Sequence, residues 1–473
     1  MFEYAVVGSG VGGSSMASYL NARGKDVILF EKEPYLGGCS SSFKHKKLTY
    51  NTGATTLAGY QENFIVKEVF DTIGFQPELI KTDPTIVVMQ NKKVTPRYRD
   101  FEKFLEVVEK NYPHPKNREF WSLIYKLNGD FYKHNKHYYS NKNIFSKLCS
   151  LTSFIPIGLE FQKYLRKSAY RFINDFFDGI NAEYLQFLES QILIVAQAPS
   201  KEINFFTAVL ALGYTFNENH YVVGGFSHLF DAMTKNIKNI QRSSEILRIT
   251  KRSDYFELHT KEKKYQAKKV ILNSTVYDSA KLFDDIKTQD YYKSYEKLNN
   301  YQSSFMLYMT IKSEKKFEHH YQLIQEKKFP DTLSNALFVS FSDQSDTLLA
   351  PEGHYSITVS IHTDTRYWKN TASYNEQKNK LKNLLLDTIL SELDIEKESI
   401  IESFAATPKT FARYINRSQL GGNAISMKNL LPFLPSNDTK IKGVYNVGDT
   451  VYAAQGWPGV MLGVKNLQRL LNV

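Results

Sequence analysis

Residues 4–31 read YAVVGSGVGGSSMASYLNARGKDVILFE, and this stretch decides the fold. It consists of a short apolar strand, the spacing Gly8-x-Gly10-x-x-Gly13, a predicted helix and a second apolar strand that ends in Glu31. A glycine-rich turn of this spacing between a strand and a helix, with an acid closing the next strand, is typical of dinucleotide-binding units. The pattern therefore predicts a βαβ unit that holds a dinucleotide.

Each residue of this pattern has a mechanical role. Gly8 allows the tight turn out of the strand, Gly10 lets the backbone approach a pyrophosphate, and Gly13 lets the helix pack closely on the sheet. The N–H groups at the helix start face the phosphates, and the helix dipole favours their negative charge. Glu31 is placed to accept hydrogen bonds from a ribose diol.

A second glycine pair, Gly37-Gly38, follows six residues after Glu31 and leads into Cys39 and Ser40. The first motif alone fits NAD or FAD. NAD-dependent dehydrogenases have no regular need for this pair, whereas FAD lies extended, so that its ribitol and flavin run past such a loop. The pair therefore favours FAD.

Residues 443–462 supply the other half of such a site. A strand is predicted to end in Gly448-Asp449, where an acid can bind the ribitol or a water that bridges the phosphates. The turn QGWPGV at 455–460 then opens a terminal helix. Its first N–H groups can face the pyrimidine edge of the flavin and stabilise the negative charge of the reduced form.

Taken together, the motifs GSGVGG, EK, GGCSSSF, YNTGATTLAG and GD…QGWPGV resemble the family of carotenoid isomerases, phytoene desaturases and retinol saturases. The GSG and GGC…F forms are more similar to the isomerase and saturase branch. The resemblance implies an FAD-dependent oxidoreductase. The cofactor-binding residues are then Gly8, Gly10, Gly12, Gly13, Glu31, Lys32, Gly37, Gly38, Cys39, Ser40, Gly53, Gly448, Asp449, Gly456, Trp457, Pro458, Gly459 and Val460.

A further stretch, TPKTFARYINR at 407–417, is similar to the same family. Arg413 and Arg417 are four residues apart, so on a helix they share a face. Two interpretations stay open: they orient the substrate entrance or a flavin carbonyl, or they form a solvated basic face or structural ion pairs.

The fold class that follows is α/β with two domains. The first is an FAD-binding Rossmann-like domain of the glutathione-reductase type, predicted to consist of residues 1–84, 216–289 and 405–473. The second is an inserted α+β substrate domain with an antiparallel sheet and a helical cap, predicted to consist of residues 85–215 and 290–404.

The strands of the inserted sheet are predicted at 304–311, 336–342 and 354–362, and the segment 85–215 is predicted to be mostly helical. The sheet either roofs an apolar pocket or is a buried structural sheet. His319-His320 lies among charged residues and is predicted to be a surface loop. The histidine pattern predicts no metal site.

Residues 161–176 (FQKYLRKSAYRFINDF) form a predicted amphipathic helix with an apolar stripe and a basic back. Such a helix suits a membrane interface, and it equally suits a core-facing helix with a solvated side. Membrane contact at an anionic lipid surface is one prediction for the partners of this chain.

The composition sets wider bounds. The formal net charge is +11, the two cysteines exclude a disulfide framework, and the 31 tyrosines and 32 phenylalanines suit a pocket that receives something apolar. Since no nucleic-acid-binding motif accompanies the charge, we expect no nucleic-acid partner. The chain opens on its first strand without a targeting segment, so we expect a cytoplasmic protein that can lie at the inner face of the cytoplasmic membrane.

Three functions are compatible with these patterns. The first is an FAD-dependent oxidoreductase that isomerises, desaturates or saturates double bonds of an apolar polyene or isoprenoid lipid. The second is a flavin oxidase similar to amine oxidases or protoporphyrinogen oxidases, which the QGWPGV turn disfavours. The third is a non-enzymatic membrane-binding flavoprotein. No residue is singled out as a catalytic acid or base.

Overall fold

The computed structural model describes residues 1–134, 137–370, 372–423, 426–427, 433–453 and 455–473. The strands are β1 Phe2–Val7, β2 Val27–Phe30, β3 Ser42–His45, β4 Leu48–Asn51, β5 Thr56–Ala58, β6 Leu79–Thr82, β7 Val87–Gln90, β8 Lys93–Pro96, β9 Asn219–Val222, β10 Asn239–Gln241, β11 Arg248–Lys251, β12 Phe256–His259, β13 Lys264–Leu272, β14 Gln302–Lys312, β15 His320–Ile324, β16 Ala336–Phe341, β17 His354–Asp364, β18 Ile400–Ala406 and β19 Val444–Asn446.

The helices alternate with these strands in the first and last parts of the chain and cluster in its middle. They are α1 Val11–Ala22, α2 Ile65–Ile73, α3 Phe101–Asn111, α4 Asn117–Lys133, α5 Ile144–Thr152, α6 Ile155–Leu165, α7 Ala169–Phe177, α8 Ala182–Ala196, α9 Phe205–Gly213, α10 Gly225–Thr234, α11 Ile286–Lys293, α12 Tyr374–Glu392, α13 Pro408–Ile415 and α14 Gly456–Leu471.

The first large sheet has the strand order β10-β2-β1-β13-β12-β11, and β19 pairs with β13. Strands β1, β2, β10, β13 and β19 run parallel, and their carboxyl ends are in register, since Val7 is opposite both Phe30 and Leu272, and Leu272 is opposite Asn446. Ligands of open parallel sheets bind at such an edge. The sheet therefore places the residues that follow β1, β2, β13 and β19 around one crevice.

The second large sheet has the order β18-β14-β17-β16-β15-β7-β8. Strands β14, β16 and β17 confirm the three predicted strands, and their pairing is antiparallel. Strands β7 and β8 come from the segment predicted to be mostly helical, and β7 pairs in parallel with β15. One sheet is thus built from two separate parts of the chain.

The two faces of this second sheet differ. Apolar side chains of β14 and β17, such as Leu307 and Val359, pack against Leu385 of α12 in one buried cluster. On the other face Ser356 and Thr358 donate hydrogen bonds to backbone carbonyls of the β3–β4 hairpin, at 2.7 and 3.2 Å. This face therefore carries hydroxyls that satisfy backbone groups of the hairpin, beside an apolar cluster in which Met306 and Tyr308 pack against Leu48 and Tyr50.

The helical layer corrects one prediction. The segment 161–176 is not a continuous helix, because α6 ends at Leu165 and α7 begins at Ala169. Ser168 causes the break, since its side chain caps α7 by accepting from the Arg171 N–H group. Phe161 and Ile173 are fully buried in the core of this layer, so the apolar stripe faces protein. The prediction of one continuous helix over 161–176 is wrong, and of the two interpretations of its apolar stripe the structure favours the core-facing one.

Candidate active site

A cavity of about 430 Å³ lies at the carboxyl ends of β1, β2, β13 and β19 and is roofed by Ser304, Met306 and Ser360 of the second sheet. The predicted cofactor residues that line it are Gly8, Gly10, Gly12, Glu31, Lys32, Gly37, Gly38, Cys39, Ser40, Gly53, Gly448, Asp449, Gly456, Trp457 and Val460. The other three, Gly13, Pro458 and Gly459, lie within the first turns of α1 and α14. The fold thus brings residues from both ends of the chain to one cavity.

The turn between β1 and α1 is fixed by sterics and by Asn273. A Cβ atom on Gly13 would lie 2.0 Å from the carbonyl oxygen of Gly8, so the helix can approach the strand only with glycine here. The side chain of Asn273 accepts from the Gly13 N–H at 2.8 Å and donates to the carbonyl of Val447 at 3.0 Å. The sequence alone does not identify Asn273 as a site residue, because its contact with Gly13 spans 260 residues.

Glu31 is held at the edge of the cavity. Its carboxylate accepts from the backbone N–H and the hydroxyl of Ser9, and from the backbone N–H of Glu33 at 2.9 Å. The residue is 8% exposed. Since each carboxylate oxygen has two lone-pair sites, the group keeps acceptor capacity on the cavity side.

The second glycine pair closes over the first turn. The Gly37 N–H donates to the carbonyl of Ser9 at 3.1 Å, and Gly37 has φ +115, with Phe230 2.6 Å from where a Cβ would lie. The ammonium group of Lys32 is bound to protein groups. It donates to the carbonyl of Arg413 at 2.7 Å and to the side chain of Asn416 at 2.8 Å. Lys32 therefore fastens the end of α13 to this domain.

Arg417 and Asp449 form an ion pair on the cavity wall. The guanidinium donates to both carboxylate oxygens at 3.1 Å, and the two side chains are 14% and 18% exposed. Although burial opposes the charged form, Asp449 holds the pKa of Arg417 above its usual range. Burial raises the pKa of the neighbouring Cys39 thiol, with Arg417 opposing that shift.

This geometry corrects the prediction that Arg413 and Arg417 share a helical face. Helix α13 starts with a capping box of Thr407 and Thr410 and ends at Asn416, which is left-handed with φ +55. Arg417 thus lies beyond the helix and turns inward, while Arg413 stays exposed. A left-handed cap redirects the chain, and the spacing alone did not show it.

The opposite end of the cavity is formed by the start of α14. Gln455 donates to the carbonyl of Val195 at 2.6 Å. The Trp457 ring is stacked with Phe226 and Phe230, at centroid distances of 5.6 and 5.8 Å. The Gln455 Oε1 and Trp457 Nε1 atoms are buried and have no protein partner. A buried polar atom without a partner is costly, so both atoms fit a bound ligand with polar groups.

The loop that follows Gly53 rests on two histidines, the buried His320 and the half-buried His319. The His320 ring lies 2.9 Å from the hydroxyls of both Thr55 and Thr56, and His319 Nδ1 lies 2.6 Å from the Phe341 carbonyl. Burial lowers the pKa of both histidines. The prediction of a surface loop is wrong, because the charged residues that motivated it precede β15 while the histidines enter the sheet.

Comparison with known proteins agrees with this architecture. Residues 6–73 match the model of an NAD(P)-binding Rossmann-like domain. The chain is 23% identical over 503 residues to a chloroplastic prolycopene isomerase of Daucus carota, with 96% of this chain and 77% of the relative covered. It is 27% identical to the all-trans-retinol 13,14-reductase of Rattus norvegicus over 117 residues, 24% of this chain and 19% of that protein.

Among solved structures, an oxidoreductase from Methanosarcina mazei superposes with a TM-score of 0.66 at 16% identity, covering 99% of this chain and all of that one. The chain is an FAD-dependent oxidoreductase, and it is similar to the carotenoid isomerases.

The cavity of this oxidoreductase fits FAD. Helix α1 begins after Gly10 with no side-chain cap, so its first N–H groups are available to phosphate oxygens. Beyond Glu31 the cavity continues to Ser244, Ile246 and Thr275, which suits the adenosine end. The unpartnered atoms of Gln455 and Trp457 lie at the other end, where the flavin ring would be held. Bound FAD supplies reversible electron or hydride exchange with the substrate.

Trp457→Ala in the oxidoreductase is expected to lower the free energy of unfolding by about 3 kcal/mol, because the ring fills the core between α10 and α14. It should also lower the FAD content of the purified protein, since Trp457 lines the cavity. Trp368→Ala is the matched control. Trp368 is 1% exposed but lies in the core of the second sheet, so thermal melting should show a similar loss and the FAD content should stay high. Equal FAD loss in both variants would contradict a local role of Trp457.

Proposed function

We propose that this oxidoreductase rearranges double bonds of an apolar polyene or isoprenoid lipid, and that cis–trans isomerisation is its main reaction. The observation that carries this choice is the lining of the flavin end of the cavity. In the described parts of the chain, the side chains there are neutral: Gln197, Ser304, Met306, Ser360, Gln455 and Trp457. Of the carboxylates that line the cavity, Glu31 is held at the β1–α1 turn by Ser9, and Asp449 is paired with Arg417.

This distribution of charge bears on the reaction. Desaturation removes a hydride and a proton from the substrate, so it needs a group that accepts the proton. Cis–trans isomerisation returns every atom to the same molecule and needs only transient electron exchange. A neutral wall that orients the substrate's hydrocarbon chain and excludes water suits isomerisation better than desaturation. The match to prolycopene isomerases over 96% of the chain supports the same choice.

Saturation is the second candidate. The observation that favours it is the match to the retinol reductase, although that match covers 24% of the chain. Saturation adds a hydride and a proton and consumes an external reductant. The two candidates are separated by whether the product gains hydrogen.

The test is incubation of the FAD-loaded protein with a poly-cis acyclic polyene under anaerobic conditions, with reduced and oxidised flavin. We expect the isomer composition, measured by chromatography, to change while the mass of the polyene stays the same. A gain of H₂ would establish saturation, and a loss of H₂ would establish desaturation; either result overturns isomerisation as the main reaction. Protein stripped of FAD is the control.

We further propose that the enzyme collects its substrate at a membrane surface, at the inner face of the cytoplasmic membrane. Large apolar side chains project from α5, α6 and a later segment: Ile144, Phe145, Leu148, Ile155, Leu159 and Phe433. We call these residues the α5–α6 patch. Phe145 is 74% exposed and Leu159 is 67% exposed. A clustered apolar patch of this kind supports a membrane or protein contact.

Basic residues accompany the patch. Lys147 lies 5.8 Å from the centroid of the Phe433 ring, and Lys142 and Lys163 are exposed nearby in sequence. Apolar side chains flanked by lysines suit the interface of an anionic bilayer. In the described ranges no single helix meets the length and hydropathy of a membrane span; α5 and α6 meet them only as a pair bent by 76°.

The double variant Phe145→Asp/Leu159→Asp is expected to reduce flotation with anionic vesicles at least about tenfold, since it replaces inserted apolar area by charge. Binding of the unaltered protein should rise with the anionic lipid fraction and fall with salt. Ile286→Asp is the control, because Ile286 is 73% exposed on α11, outside the patch. Equal binding of all three proteins would refute the membrane proposal.

A further inference from the structure

A second cavity, of about 750 Å³, lies between α8 and the edge of the second sheet. We call it the vestibule. The residue that lines both the vestibule and the flavin cavity is Gln197. Among the described residues, the two cavities therefore meet at Gln197.

Gln197 is held in place from several sides. It follows α8 in a left-handed conformation with φ +55. Its Oε1 atom accepts from the side chain of Gln302 and from His362 Nε2 at 3.2 Å. A Cβ atom on Gly421 would lie 2.5 Å from the same oxygen. The Gln197 side chain is thus held in place where the two cavities meet, and the small residue at 421 leaves room for it.

The vestibule is lined by polar side chains, whereas a tunnel that holds a hydrocarbon should be apolar. Its floor contains the buried side chains of Ser190, Gln302, Ser334 and Asp364. Asp364 is neutralised by Arg366, whose Nε donates to it at 2.9 Å. A hydrocarbon end that entered here would displace water from these groups and return no hydrogen bonds, which is unfavourable.

The rim carries both signs of charge. Lys297 and Lys328 face the same opening as Glu202 and Glu326, and all four are exposed. A rim of mixed charge gives no net attraction to a carboxylate or an ammonium. The hydroxyls and amides of the floor donate and accept hydrogen bonds, and this suits an uncharged group that does both.

We infer that the vestibule binds an uncharged, oxygenated end of the substrate, a hydroxyl or a sugar on a hydroxyl, while the conjugated chain passes Gln197 into the flavin cavity. The inference rests on the proposed function and narrows its substrate class to polyenes with one polar end. The polar end held in the vestibule then sets how far the conjugated chain can advance past Gln197, and so determines which double bond lies at the flavin.

The test uses two polyenes with the same conjugated chain, one a plain hydrocarbon and one with a terminal hydroxyl. Dissociation constants come from quenching of flavin fluorescence in the FAD-loaded protein, and turnover is followed by chromatography. Ser190→Phe fills the floor of the vestibule, and Leu193→Trp, at a half-exposed lining position, is a second filling variant in case the first does not fold. Ser391→Phe, exposed on α12, is the matched control.

The unaltered protein should bind the hydroxylated polyene at least about tenfold more tightly, as expected of a site built to hydrogen-bond a hydroxyl. The filling variants should reduce this ratio to near one, and Ser391→Phe should keep it. No preference in the unaltered protein, or a ratio that survives filling, would overturn the inference. Selective binding without turnover of either polyene would refute the proposed function and leave the vestibule assignment standing.

Discussion

Gly13→Ala is expected to yield a protein that does not retain FAD. The added Cβ would lie 2.0 Å from the Gly8 carbonyl oxygen and 2.8 Å from Asn273 Oδ1, far inside van der Waals contact. Helix α1 would have to move away from β1, and this movement displaces the N–H groups that face the phosphates. The ratio of visible flavin absorption to protein absorption in the purified protein measures the effect.

The matched control for this change is Gly129→Ala. Gly129 lies within α4, and a Cβ there meets no atom within 4 Å. Alanine is favoured over glycine inside a helix by about 1 kcal/mol, so this variant should melt at the same or a higher temperature with full FAD content. Normal FAD content in Gly13→Ala would place the phosphates away from this turn and overturn the cofactor site.

Arg417→Leu is expected to have the second large effect. It leaves the Asp449 carboxylate, which is 18% exposed, without its bidentate partner. Removing one member of a buried pair costs about 3 kcal/mol or more. The unpaired carboxylate also lies on the wall of the cavity that receives the phosphates, so like charges repel. Thermal melting should show the loss of stability, and FAD content should fall with it.

Two further variants separate stability from cofactor binding. Arg413→Leu removes an exposed arginine of the same segment and should change neither measurement. The double variant Arg417→Leu/Asp449→Leu removes both charges and should recover most of the stability, because apolar replacements of a buried pair are often tolerated. It should not recover FAD. Recovered FAD content in the double variant would show that the pair serves only the fold.

The segment from Tyr4 to Glu31 could be interpreted without a structure because its signal is local. Strand, turn and helix lie within one continuous stretch, and glycine spacing is dictated by backbone sterics that act between near neighbours. The same holds for the start of α14 and for strands β14, β16 and β17, whose hydrophobic patterns are set by burial of their own faces.

Contacts between distant parts of the chain were not predictable in this way. The sequence of Arg413 and Arg417 suggested one helical face, yet a left-handed residue between them sends Arg417 to Asp449, 32 residues away. The His319-His320 pair looked exposed beside charged neighbours, yet it packs under the loop at Thr55. Each of these outcomes depends on which segments meet in space, and a linear pattern does not contain that information.

The sequence by itself determined the dinucleotide-binding unit, the preference for FAD and the residues of the two cofactor motifs, because these follow from short-range steric and hydrogen-bonding requirements. Only the tertiary structure decided what surrounds the flavin end of the cavity. The roof from the second sheet, the position of Gln197 and the polar vestibule arise where elements far apart in the chain pack together. Their polar groups reflect which backbone and side-chain groups each contact must satisfy.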